Sequence, residues 1–256
     1  MKRYYTDQSL RIICGNSALY VFNKTFIEAI DICRHFHYTI GKRSTSVLER
    51  RHIMEKKIIT ISREFGSGGR TIGRMVAEKL GIPFYDKELV DQIALESGFA
   101  PKFVEEHGEH SPGKSLFSYA FASQGVPGVM NGLSTADFLW NIQCSVILQI
   151  AEQGPCVIVG RNADYILKDR PDALHVYVFA DVPYRAERIV RRYGESDKSP
   201  EARLSEKDKR RRVNYQHYTG RTWGQAQNYD ICLDTGVLGI DQCADIVCSI
   251  VESSKK

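Results

Sequence analysis

Ser62-Arg63-Glu64-Phe65-Gly66-Ser67-Gly68-Gly69-Arg70-Thr71 stands between the apolar run Lys57 to Ile61 and a stretch of helical periodicity from Thr71 to Leu80. Clustered glycines between a strand and a helix let successive backbone N–H groups turn inward toward an anion, and the helix N-terminus adds its partial positive charge. Gly66, Ser67, Gly68, Gly69, Arg70 and Thr71 are therefore expected to form a phosphate-binding loop, with the Thr71 hydroxyl offered to a phosphate or to Mg²⁺-bound water. The usual pattern, G-x-x-x-x-G-K-[ST], places a lysine where this chain has Gly69. Arg70 is the expected substitute and Arg63 the second candidate. A guanidinium binds phosphate bidentately but is too bulky to follow a lysine's path through the loop. The alternative for Arg70 is solvent exposure on the first helical turn. A dinucleotide fingerprint, G-x-G-x-x-G, would need glycine where Thr71 stands. A ligand-free connection is the remaining alternative, although the turn is longer than strand-to-helix packing requires.

A second group of cations lies downstream. Between Arg185 and Arg221 the chain carries 12 Lys/Arg against 6 Asp/Glu, while the whole chain has a formal charge of only +4. Such a segment suits a polyanion, either nucleotide phosphates or a nucleic-acid backbone. Arg188 and Arg192 are four apart and share one helix face, which Arg185 extends; a solvated helix with Glu187 alongside is the plain alternative. Asp208 with Arg211 or Arg212 reads equally as a surface ion pair. Tyr215, Tyr218 and Trp223 either stack a base or, the favoured reading, pack against the core. No serine, cysteine or histidine is marked out as a nucleophile beside a base. His107 and His110 lack further metal ligands and read as solvated.

These side chains need a frame that brings them together. From Lys57 onward strand and helix signals alternate, predicting a parallel sheet covered by helices on both faces. Strands are expected at Lys57 to Ser62, near Pro83 to Tyr85, and at Cys156 to Gly160, Leu174 to Ala180 and Tyr229 to Asp234. The longer ones are continuous apolar runs, as strands buried on both faces require. Helices are expected at Thr71 to Leu80, Lys87 to Ser97, Ala136 to Gln153, Pro183 to Tyr193, Pro200 to Tyr218 and Ile240 to Glu252. Residues 97–134, rich in Gly and Pro, read as a mobile insertion. The loop, Arg161 and Arg188 each follow a strand, so all three would face the C-terminal edge of the sheet, where such folds bind ligands.

The totals agree with one sizeable core. The chain has 256 residues, 43% of them hydrophobic. Its seven cysteines form no C-x-x-C pair and read as reduced core thiols. No apolar stretch approaches the length of a membrane span and no signal segment is evident, so a soluble cytoplasmic protein is expected. Residues 1–53 differ from the remainder: one amphipathic helix from Thr25 to His37, then a basic tract. Met54 opens the segment that leads into the first strand. A weakly structured extension and an artefact of the assigned start site are the two readings, with the main domain spanning 54–256.

Taken in order, the glycine loop, Gly81-Ile82-Pro83-Phe84-Tyr85-Asp86, Val159-Gly160-Arg161-Asn162-Ala163-Asp164-Tyr165, the basic segment and Tyr229-Asp230-Ile231-Cys232-Leu233-Asp234-Thr235 resemble the cytidylate kinase-like family of P-loop nucleoside monophosphate kinases. The resemblance covers nearly everything from Met54 to Val251. It implies a three-layer α/β fold with a five-stranded parallel sheet, an acceptor-binding region and a helical lid, about 193–222. It also implies transfer of the γ-phosphoryl group of ATP, with Mg²⁺, to CMP or dCMP. In that frame Gly66 to Thr71 hold the ATP phosphates, Asp86 lies beside the acceptor nucleotide and Arg161 contacts its phosphate. Asp208 and Arg211 resemble a D-x-x-R stretch that reads the cytosine edge, and Arg188 and Arg192 bracket the ATP base and phosphates. Lys87 and Glu88 replace the serine and glycine that follow the aspartate in that family. Within the same fold, a regulatory protein that binds nucleotide without transfer, or a kinase for another small acceptor, stands as the alternative. A nucleic-acid module would use Arg185 to Arg221, against which the acidic residues of that segment argue. Small-molecule nucleotides are the expected partners.

Overall fold

The computed structural model describes residues 55–107 and 134–255, and the backbone of 11–15 and 18–22. Strands β1 (Arg11–Gly15) and β2 (Ala18–Phe22) form a hairpin, and β3 (Ile58–Arg63) runs through the glycine loop into α1 (Gly69–Leu80). Next come β4 (Phe84–Tyr85), α2 (Lys87–Ser97), α3 (Pro101–His107) and α4 (Thr135–Gln153), which leads into β5 (Cys156–Val159) and the single turn α5 (Ala163–Ile166). The chain continues through β6 (Ala173–Phe179), α6 (Val182–Tyr193), α7 (Pro200–Thr219), β7 (Ile231–Asp234), α8 (Thr235–Leu238) and α9 (Ile240–Ser253). The expected helix at Thr25 to His37, the segment 108–133, His110 and the side chain of His107 lie outside the described residues.

Five parallel strands stand in the order β7-β6-β3-β5-β4, and helices cover both faces. This is the three-layer arrangement expected. The hairpin extends the sheet beyond β7, where Leu19 and Tyr20 of β2 pair in parallel with Ile231 and Cys232. The central position of β3 follows from its side chains, which alternate between two buried surfaces. Ile59 and Ile61 join Ile72 and Val76 of α1 and Val247 and Val251 of α9 in one core. Ile58 joins Leu89 of α2 and Val146, Ile147 and Ile150 of α4 in the other. Thr60 and Ser62 face that second side and carry hydroxyls into it. Each finds a partner: Thr60 Oγ1 shares a 2.8 Å hydrogen bond with His175 Nδ1, and Ser62 Oγ donates to Asp164 Oδ1 at 2.9 Å. Buried hydroxyls left unpaired would be destabilising, so these bonds allow polar residues in the middle strand.

Two elements depart from the expected layout. Pro101 opens a helix, its missing N–H costing nothing at the first position, and Val104 of that helix is fully buried in the second core. The start of the segment read as a loose insertion is therefore packed. The hairpin at 11–22 was not foreseen from the sequence. No helix among the described residues is long and apolar enough to cross a membrane.

Helix N-termini differ in how they are capped. The side chains of Ser134, Asp181 and Ser199 cap α4, α6 and α7 by accepting the N–H of Asp137, Tyr184 and Ala202. Helices α1 and α2 carry no side-chain cap, and both open into the same cavity.

Burial raises the thiol pKa of Cys156 and Cys243 to about 12 and that of Cys232 to about 11. The thiolate is the reactive species, so these three side chains are inert at neutral pH. In peptide mapping at pH 8, a thiol reagent is expected to leave all three unmodified in the native protein and to label all three in denaturant.

Candidate functional site

The C-terminal ends of β3 and β5 open into a cavity of about 480 Å³. Its volume lies within the range of small-molecule sites. Nine Lys/Arg line it against four Asp/Glu, so its field is positive.

The glycine loop forms one wall. Gly68 precedes α1 with φ +92°, and a Cβ there would come within 2.9 Å of Ile240 Cδ1. Glycine is therefore required both for the left-handed backbone and for the close approach of α9. The first N–H groups of α1 lack intrahelical partners by construction and lack a side-chain cap here, which makes them anion donors. Arg63 crosses from this wall to the opposite one. Its stem lies against Gly69, and a Cβ at Gly160 would stand 2.7 Å from its Cζ.

Arg188 enters the loop from α6. Its Nη2 donates to Thr71 Oγ1 at 3.1 Å and its Nη1 reaches the Gly66 carbonyl at 3.5 Å. The residue is only 8% exposed, burial pulls its pKa down, and it makes no salt bridge among the described residues. A buried guanidinium at a glycine loop, with no counter-ion among the described residues, has the chemistry to take an anion.

Arg161 presents the same situation across the cavity. It is 8% exposed, its Nη1 bonds the Val104 carbonyl at 3.4 Å, and no carboxylate pairs with it among the described residues. Gly160, Arg161 and Asn162 all have positive φ, at 77°, 56° and 55°. Two successive non-glycine residues in the left-handed region are a local strain that the surroundings must hold. The Arg161 carbonyl accepts from Gln143 Nε2 at 2.9 Å, and Asn162 Nδ2 donates to Asn214 Oδ1 at 2.9 Å. Behind them Asp164 accepts from Ser62 Oγ and, at 2.7 Å, from Tyr215 Oη. Burial raises the Asp164 carboxyl above its ordinary range, against the lowering effect of those two donors.

Ten of the twelve residues singled out in the sequence line this cavity: Gly66, Gly68, Gly69, Arg70, Thr71, Asp86, Arg161, Arg188, Arg192 and Arg211. Ser67 and Asp208 do not. The buried Ser67 hydroxyl donates to the carbonyls of Glu64 and Val178, so it shapes the loop from behind. Asp208 Oδ1 accepts the Phe65 N–H at 2.7 Å and Oδ2 accepts Arg185 Nη1 at 2.7 Å, while Arg211 Nη1 stands 3.4 Å from Oδ1. Asp208 is thus engaged beneath the loop rather than at an acceptor edge. Arg185 does not extend the Arg188 face; it is held by Asp208 and, at 3.4 Å, by Glu64. Arg70 does not cross the loop either. Its Nε and Nη2 both bond Asp86 Oδ2, and Arg188 occupies the place beside Thr71. Tyr215, Tyr218 and Trp223 all pack: on Asp164, against Trp140 with ring centroids 4.4 Å apart, and edge-on to Tyr177.

The sequence reading passed over Lys102 and Lys207, which also line the cavity. Lys207 precedes Arg211 by four residues on α7 and so shares its face, a signal present in the spacing. Lys102 was hidden because its segment read as irregular.

A model of the cytidylate kinase-like family matches residues 58–237, which span β3 to α8 and every residue of the cavity. The chain belongs to this family. Among the family's curated relatives, the cytidylate kinase of Pyrococcus horikoshii is 24% identical over 182 residues, covering 71% of this chain and 81% of that protein. The cytidylate kinase of Archaeoglobus fulgidus is 26% identical over 202 residues, covering 77% of this chain and 96% of that protein. Among solved structures, an uncharacterized protein of Eubacterium ventriosum superposes with a TM-score of 0.57 at 27% identity, covering 77% of this chain and 99% of that one.

Asp208→Ala leaves the buried Arg185 with only the more distant Glu64 carboxylate and the Phe65 N–H without its acceptor, a loss of about 3 kcal/mol in denaturant unfolding by the general cost of breaking a buried pair. Asp208→Asn retains an acceptor for the Phe65 N–H and is expected to lose less.

Proposed function

We propose that this protein transfers the γ-phosphoryl group of ATP to a pyrimidine nucleoside monophosphate, CMP or dCMP. The observation that carries the reading is the pair of buried arginines with no carboxylate partner among the described residues, Arg188 at the glycine loop and Arg161 across the same cavity. Two such cations call for two anions, a donor phosphate chain and an acceptor that is itself a phosphate. A hydroxyl acceptor would leave Arg161 uncompensated. The preference for cytosine rests on the relatives, which are named cytidylate kinases.

The N-terminal N–H groups of α1 and Arg188 would hold the β- and γ-phosphates, and Arg161 the acceptor phosphate. Arg63, Arg192 and Arg211 line the same cavity and would neutralise charge spread over the transferred group. An oxygen of the acceptor phosphate forms the new bond to the γ-phosphorus as the bond to the bridging oxygen of ADP breaks. That oxygen already carries negative charge at neutral pH, so transfer needs positioning and charge neutralisation rather than a general base. Thr71, whose Oγ1 accepts from Arg188 Nη2, lines the cavity and would be the hydroxyl to hold Mg²⁺. Mg²⁺ held there with ATP would supply neutralisation of phosphate charge. Small-molecule nucleotides would be the partners, in keeping with a cytoplasmic protein.

A coupled assay of ADP release across the common nucleoside monophosphates tests the proposal, with turnover on CMP or dCMP expected. Absence of ADP release with every acceptor would sink it. ATP binding by calorimetry without turnover would instead favour a nucleotide-binding regulator, to which the missing loop lysine lends weight. By analogy with other preorganised charge donors, Arg188→Ala is expected to lower kcat about 100-fold or more. Arg161→Ala is expected to raise KM for the acceptor more than for ATP.

A further inference from the structure

Arg70 is the residue whose position the phosphate-loop reading leaves unexplained. It sits in the first turn of α1, yet two of its guanidinium nitrogens are spent on one oxygen of Asp86. Asp86 is the N-cap residue of α2 and lines the cavity, where the family resemblance sets it beside the acceptor. An aspartate there ordinarily accepts an N–H from its own helix, and this one makes no such bond. Its backbone N–H turns instead to Glu88 Oε2 at 3.3 Å. The Asp86 side chain is 10% exposed while that of Arg70 is 40% exposed, so the arginine can move and the carboxylate cannot easily leave the cavity.

We propose that the Arg70–Asp86 pair couples the two substrates. This rests on the reading of the cavity as a donor site and an acceptor site. Phosphate at the α1 N-terminus competes with Asp86 for Arg70, because a multiply charged phosphate chain is the stronger bidentate partner. Once Arg70 turns to the phosphate, the Asp86 carboxylate is released to the acceptor or to its own helix. An acceptor that arrives first must displace Arg70 itself, whereas one that arrives after the donor finds Asp86 already free. The two ligands therefore favour each other, and by linkage each tightens the other by the same factor. Arg188 remains the cation of the loop in both states, which leaves Arg70 available for this role.

Two measurements decide the matter. In the first, Tm is recorded for the wild type, Arg70→Ala, Asp86→Ala and the double variant, with and without a saturating non-hydrolysable ATP analogue and Mg²⁺. The single-variant shifts are expected to be non-additive without the analogue and additive with it. Non-additivity that persists unchanged with the analogue overturns the proposal. In the second, the affinity for CMP is measured by calorimetry with and without the analogue. The wild type is expected to tighten about 5-fold or more, the lower end of ordinary coupling factors, and Arg70→Ala to show no tightening. Equal tightening in both overturns the proposal. The first measurement involves no acceptor, so the two readings fail separately. Loss of non-additivity with no CMP binding keeps the donor's release of Arg70 from Asp86 and overturns its coupling to CMP. Turnover on CMP with persistent non-additivity keeps the kinase and removes the coupling.

Discussion

The glycine loop rests on one buried carboxylate. Asp208 belongs to α7, yet its oxygens take the N–H of Phe65 at the entry of the loop and the guanidinium of Arg185 from α6, with Arg211 of α7 close by. Three segments far apart in sequence meet at this point. Arg211 also reaches the Arg63 carbonyl at 3.4 Å and lies over the Phe65 ring, which itself stacks on Tyr193 at the end of α6. The path of the loop is thus set as much by α6 and α7 as by its own glycines. A displacement of either helix would be felt directly by the backbone N–H groups of the loop.

Three arginines illustrate how burial and partner together separate support from function. Arg161, Arg185 and Arg188 are 8%, 7% and 8% exposed, so desolvation penalises them alike. Arg185 has two carboxylates within reach and completes a closed ion pair. Arg161 and Arg188 meet carbonyls and a hydroxyl, neutral groups that do not balance their charge, and pair with no carboxylate among the described residues. A ligand phosphate would supply what those two lack. The strained turn at Arg161 belongs to the same pattern, because Asp164, Gln143 and Asn214 hold a backbone conformation that the sequence would not choose alone.

Strands and long helices were legible because their signals are local. The apolar runs of β3, β5 and β6 need burial on both faces, and the Ser and Pro residues at the starts of α4, α6 and α7 mark their ends. Side-chain destinations were less legible. Asp208 lies three residues before Arg211, which suggested a local pair, while its decisive partners are 23 and 143 residues away. Arg70 neighbours the missing lysine in sequence, but the cation beside Thr71 comes from 117 residues downstream. The helix at Pro101 was missed because proline was read as a breaker where it is an initiator, and α5 is too short to show a period. The glycine loop, by contrast, was readable because its function lies in its backbone.

The central strand is made early and completed late. Ile61 pairs with Val159 and with Val176, both about a hundred residues further along the chain. Until those strands emerge, β3 has neither of its neighbours, and Ile59 and Ile61 have only α1 to cover them. Non-local pairing of this kind slows folding and lengthens the exposure of apolar surface. The architecture that gathers its arginines at one sheet edge therefore leaves the nascent chain dependent on whatever shields β3 during synthesis.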